Sequence, residues 1–135
     1  MTKTNLISNP IKLIHFDVEN EAGLIYEKYE FVKNRTSKRD GEFYNEIDRL
    51  NEKSPIYGQF KFGKKKTNKY NASHSFSNFK INEDWLVADL TVLNKNFETI
   101  LKNIIFKPRA VGTERIDRTV DLHKIKAFDA IIKKI

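Results

Sequence analysis

The chain has 135 residues, of which 39% are hydrophobic and 32% charged, with five glycines, three prolines, no cysteine and a formal charge of +7. This is the length of one ordinary domain, and the composition excludes a disordered, collagen-like or low-complexity chain. The absence of cysteine excludes a disulfide framework, a thiolate metal site and a cysteine nucleophile, and it fits a reducing compartment.

In chain order, Ile11–Val18 is β-branched and apolar enough for a strand, and Glu19–Gly23 reads as a turn. Leu24–Val32, with Ile25, Tyr29 and Phe31, suggests a second strand, followed by a polar loop from Lys33 to Arg39. Asp40 is placed to cap a helix with Phe43, Ile47 and Leu50 on one face, which Pro55 closes. Ile56–Phe62 and Phe76–Ile81 read as strands flanking a basic loop.

Trp85–Leu93 is the clearest strand, with Leu86, Ala88, Leu90 and Val92 on one face and a turn at Asn82–Asp84 joining it to the strand before. Asn94 or Asn96 caps a predicted helix carrying Phe97, Ile100, Leu101, Ile104 and Ile105, which Pro108 ends. Val111–Ile116 and Val120–Ile132 complete the set as strands, with a turn near Asp117–Thr119. The expected fold class is α+β: a curved or barrel-like, mainly antiparallel sheet with two inserted helices in a single domain over residues 1–135. No apolar run approaches the ~20 residues of a membrane span. The first residues lack signal-peptide blocks, so a soluble, intracellular protein with no membrane partner is expected.

The charge is concentrated. Residues 1–52 carry a balance of −2 and residues 81–135 one of +2, whereas residues 53–80 carry seven basic and no acidic side chains. Lys61, Lys64, Lys65, Lys66 and Lys69 dominate that stretch. Either they contact an anionic partner, nucleic acid or an acidic protein surface, with Phe60, Phe62 and Tyr70 as stacking faces, or they form a solvated hairpin loop.

Chemical motifs are sparse. No glycine-rich phosphate loop is present, and His15, His74 and His123 have no paired metal-ligand spacing, so neither a cofactor nor a metal is expected. His15 and His123 fall in strand-like runs and read as structural. His74, within Ser73-His74-Ser75, can be read as a general base for a hydroxyl nucleophile or as a histidine bonded to neighbouring hydroxyls. Arg109, in the segment Lys107–Thr113, reads as an anion or oxyanion contact at a chain reversal, or as a solvent-facing residue in a turn with Gly112.

The run Pro55–Phe60, the basic loop, Ser73-His74-Ser75-Phe76, Trp85–Leu93, Asn96–Phe106, Lys107–Thr113 and Ile125–Ile132 follow one another in an order that resembles the prohead (head-maturation) proteases of tailed bacteriophages. That family is related in fold to the herpesvirus capsid-assembly proteases, and the resemblance covers roughly residues 11–132. It implies a catalytic base at His74 and an oxyanion-holding region at Arg109 and Gly112. It also implies a nucleophilic serine just before Arg109, where this chain has Lys107 and Pro108. Proline has no nucleophile, and a lysine at a helix end keeps its proton. The implied function is therefore non-catalytic: a phage virion or capsid-associated structural protein, multicopy, located in the virion and in host cytoplasm during assembly. It would bind capsid or other virion proteins through the lysines, with His74 and Arg109 vestigial. The alternatives are an active endopeptidase recruiting Ser73, Ser75 or Thr113 as nucleophile, and a nucleic-acid-binding module using the same lysines.

Overall fold

In the computed structural model, which describes residues 10–36, 43–60 and 70–133, strands dominate. They are β1 Ile11–His15, β2 Arg35–Thr36, β3 Phe43–Tyr44, β4 Ile56–Gly58, β5 His74–Asn82, β6 Trp85–Val92, β7 Ile104–Glu114 and β8 Val120–Ile132. The helices α1 Lys28–Val32, α2 Glu46–Lys53 and α3 Lys95–Thr99 are brief, and a 3-10 turn covers Leu101–Asn103.

The strand order β1-β6-β5-β4 forms one sheet, β7-β8 is a long hairpin, and β2-β3 is a small ribbon. Every ladder is antiparallel. A parallel bridge from Phe60 to Ala130 joins the chain after β4 to β8, and β1 lies against β7 at the opposite margin. The result is an α+β fold with a curved, half-barrel-like antiparallel sheet.

Alternation explains the central hairpin: Leu86, Ala88, Leu90 and Val92 on β6 are buried, while Asp89 and Thr91 are half-buried. Phe76 and Phe79 of β5 join Phe16, Phe31, Leu50 and Phe128 in the core. Bulges bend the sheet, one between Ser77 and Lys80 around Asn78 at φ 56°, and two in the β7–β8 ladder.

β8 pairs with β7 along one edge only, so its other edge must find different partners. The Val120 N–H donates to the Ile25 carbonyl, and the Ala130 N–H to that of Gln59. Between them the Leu122 N–H donates to Glu30 Oε1 (2.8 Å) and the Ile125 N–H to Glu46 Oε2 (2.7 Å). Arg49 grips Glu46 at 2.7 Å through Nε and Nη2, and its Nη2 also donates to the Ile125 carbonyl at 2.6 Å. The Glu46–Arg49 pair thus serves Ile125 as a neighbouring strand would, taking its N–H and supplying its C=O.

Several expectations are corrected. Residues 24–32 do not form a strand: Ile25 makes isolated bridges, and residues 28–32 turn into α1, which delivers Glu30 and Phe31 to the interior. α2 is capped by Asn45, whose side chain accepts the Asp48 N–H, and Phe43 stands in β3 ahead of it. Asp40 lies outside the described residues. The strand expected over residues 56–62 ends at Gly58, and Phe62 lies outside the described residues.

The longest predicted helix is cut short. Asn94 caps α3 as expected, but Ile104, Ile105 and Phe106 leave the helical stripe to pair with Ile132, Ile131 and Ala130. Long-range pairing of β-branched and aromatic residues overrides the local helical period. Pro108 accordingly lies inside β7, opposite Phe128. β7 carries no second strand among the described residues, and such an edge tolerates a missing N–H.

Removing one partner of a buried ion pair leaves the other uncompensated. Glu46→Ala is therefore expected to lower unfolding free energy by about 3–5 kcal/mol. Glu52→Ala, on the exposed face of the same helix, should stay within about 0.5 kcal/mol in the same urea titrations.

Candidate functional site around Phe128 and Asp129

His74 opens β5 directly opposite Gly58 of β4. It is fully buried, stacked on Phe97 (centroids 5.2 Å apart) and edge-on to Phe76 and Phe106. Nε2 lies 2.6 Å from the Phe128 carbonyl oxygen and Nδ1 lies 2.7 Å from Ser73 Oγ. A carbonyl only accepts, so Nε2 carries the proton, and neutral Nδ1 accepts from the serine hydroxyl. Burial pushes the imidazole below its ordinary pKa, against the opposing pull of the Phe128 carbonyl and the Asp129 charge. Gly58 makes this packing possible: a Cβ there would collide with the Phe128 carbonyl and the His74 ring.

The next residue of β8, Asp129, is fully buried and holds Arg109 with both oxygens, at 2.8 Å to Nε and 3.0 Å to Nη2. It also accepts the Gln59 N–H at 3.0 Å. Arg109 therefore neither faces solvent from a turn nor stands at a chain reversal, because residues 107–113 lie within β7. Gly112 sits where β7 and β8 approach closely, and a Cβ on it would meet the Asp121 carbonyl at 2.6 Å. Close approach, rather than flexibility, is its role.

Lys107 and Pro108 pair in register with Asp129 and Phe128. His74, Arg109 and the two positions preceding Arg109 thus converge on one dipeptide of β8. No hydroxyl stands at 107 or 108; the Lys107 ammonium is 3.2 Å from Glu21 Oε2.

Of the other hydroxyls, Ser75 is buried and Thr113 lies on the exposed half of β7 opposite Asp121. Among the described hydroxyls Ser73 alone bonds the imidazole. That pair has the hydrogen bond of a nucleophile–base dyad, but Ser73 is only 8% exposed. Its N–H donates to the Gly58 carbonyl, and its own carbonyl accepts the Leu93 N–H. An acyl substrate would need access to Oγ and free donors beside it for the developing oxyanion.

His15 is exposed and stacks on Trp85 at 4.3 Å, and His123 is exposed on β8. Among the described residues no three His, Asp or Glu side chains cluster as metal ligands. Lys61, Lys64, Lys65, Lys66 and Lys69 lie outside the described residues. Phe60 turns inward instead of offering a stacking face, packing edge-on to Phe97 at 6.2 Å, whereas Tyr70 is 85% exposed.

Sequence reasoning missed Asp129 and Gly58. A signal existed for the first: a single carboxylate inside the apolar run Ala127–Ile132 is tolerable only when paired. No family model, curated protein or solved structure matches the chain.

Two outcomes test this geometry. Because the folded imidazole has the lower pKa, the unfolded chain binds the extra proton. Stability is then full above about pH 6.5 and falls as acid is added, by no more than about 1.4 kcal/mol per pH unit for this group. His74→Gln should remove that step from denaturation midpoints measured between pH 7 and 5. Gly58→Ala should destabilise the protein by about 1–3 kcal/mol, as overpacking against an immobile carbonyl does, seen as a lowered urea midpoint.

Proposed function

We propose that the chain is a non-catalytic structural component of a tailed-bacteriophage virion, built on the prohead-protease fold and acting by binding. It associates with capsid or other virion proteins in many copies, first in host cytoplasm and then in the particle. The observation that carries this reading is the convergence on Phe128–Asp129. The three motif positions that the resemblance assigns to base, nucleophile and oxyanion contact meet there, yet the nucleophile's place holds Lys107 and Pro108. His74 and Arg109 serve the packing of β8. Without an attacking group, such a site retains at most residual binding and electrostatic effects. The contact is assigned to Lys61, Lys64, Lys65, Lys66 and Lys69, where multiple copies supply avidity even if each contact is weak.

The Ser73–His74 hydrogen bond favours one second reading, an active endopeptidase. A fluorophosphonate probe separates the two. The structural reading requires that Ser73 stay unlabelled. It also requires binding to purified particles that saturates at a fixed copy number and weakens when Lys64, Lys65 and Lys66 are changed to glutamate. Labelling that disappears in Ser73→Ala, together with cleavage of a scaffold or capsid protein, would establish the endopeptidase instead. Affinity for nucleic acid that falls steeply with salt, without particle binding, would point to the lysines as a nucleic-acid contact.

A further inference from the structure

The two strands of the long hairpin protect their outer edges differently. β7 carries Pro108, which lacks an N–H and blunts an edge by itself. β8 has no proline over its thirteen residues, and the middle of its outer edge is covered by α1 and α2 instead.

Among the described residues, the hydrogen bonds that tie these helices to the strands run through side chains. Glu30 takes the Leu122 N–H and lies 3.6 Å from Arg115, and Glu46 takes the Ile125 N–H. Arg49 supplies the Ile125 carbonyl, and Asn51 exchanges two bonds with the backbone of Phe79. By contrast, backbone ladders join β5 to β6 and β7 to β8. The helices have five and eight residues, below the length that is stable in isolation. They pack on each other, and each buries one large apolar side chain completely, Phe31 and Leu50. Detachment of one helix therefore uncovers the other.

We propose that α1 and α2 form a latch on the outer edge of β8: they detach together while the β5–β6 and β7–β8 ladders stay paired, baring the backbone of Leu122–Ile125. Local opening of this kind draws on segments with few backbone links to the rest of the fold. The latch controls exposure of a strand edge that has no proline to blunt it, the form in which an edge accepts added pairing. This device requires no partner and does not depend on the virion reading.

The test is native-state hydrogen exchange of the full chain, followed by NMR in urea concentrations below the unfolding transition. The Leu122 and Ile125 amides and the Arg49 amide, which bonds the Asn45 carbonyl within α2, should share one protection factor. It should be at least about tenfold below that of the Ala130 amide, which is held on the same edge by the Gln59 carbonyl, and of the paired β5–β6 amides. Opening should grow with urea, since Phe31 and Leu50 are uncovered, but less steeply than global unfolding does. Two variants separate the latch from global unfolding. Glu46→Gln should lower protection about tenfold at Leu122 as well as at Ile125, although Glu46 bonds only the second. Val92→Ala, in the buried face of β6, should lower the β5–β6 amides about tenfold and leave Leu122 and Ile125 unchanged. Leu122 and Ile125 as well protected as Ala130, their loss of protection in Val92→Ala, or a Glu46→Gln effect confined to Ile125 would overturn the proposal.

Discussion

The outer edge of β8 is the constraint on which the rest of the structure turns. A strand of thirteen residues with a neighbour on one side presents a row of backbone groups that must be satisfied before it can be buried. Here the row is closed piece by piece: the Ile25 carbonyl, the Glu30 carboxylate, the Glu46–Arg49 pair, the His74 imidazole and the Gln59 carbonyl. α1 and α2 are too short to be stable alone, and each is held by the carboxylate it delivers to this edge. Glu30 shows the balance of forces directly. Burial raises its carboxyl, but the Leu122 N–H, Lys33 and Arg115 outweigh that and hold it below the ordinary carboxylate range. Its contribution is present above the unfolded carboxyl pKa and lost as pH falls through the lower, folded one.

This arrangement bears on function because His74 belongs to it. The Nε2–H bond to the Phe128 carbonyl fixes the ring and leaves Nδ1 as the accepting nitrogen, and both Nδ1 and its partner Ser73 are buried away from a substrate. Asp129 does the same to Arg109, tying the guanidinium bidentately beneath the β7–β8 ladder. Both polar side chains thus act as packing elements of β8.

How much of this the sequence disclosed follows from the range of the forces involved. The β5–β6 hairpin and β8 were legible because alternating or continuous apolar runs encode burial locally. The stretch from Asn96 to Phe106 was misleading for the same reason in reverse. Its apolar residues match a helical stripe, but Ile104–Phe106 are claimed by partners more than twenty residues away. His74 and Arg109 were legible as polar residues of interest. Their shared destination was not, because Asp129 and the Phe128 carbonyl become neighbours only through sheet register. The Glu46 and Glu30 contacts to β8 were equally invisible, since nothing in a helix's sequence says which distant N–H its carboxylate will meet.

The most direct measurement is nitrogen NMR of the His74 ring across a pH titration of the folded protein. A structural histidine bonded as described should show a protonated Nε2 and an accepting Nδ1, and take up a second proton only below pH 6.5. Protonation near pH 6.5 in the intact fold, or a protonated Nδ1 with a free Nε2, would contradict the assignment of this residue to the closed edge of β8.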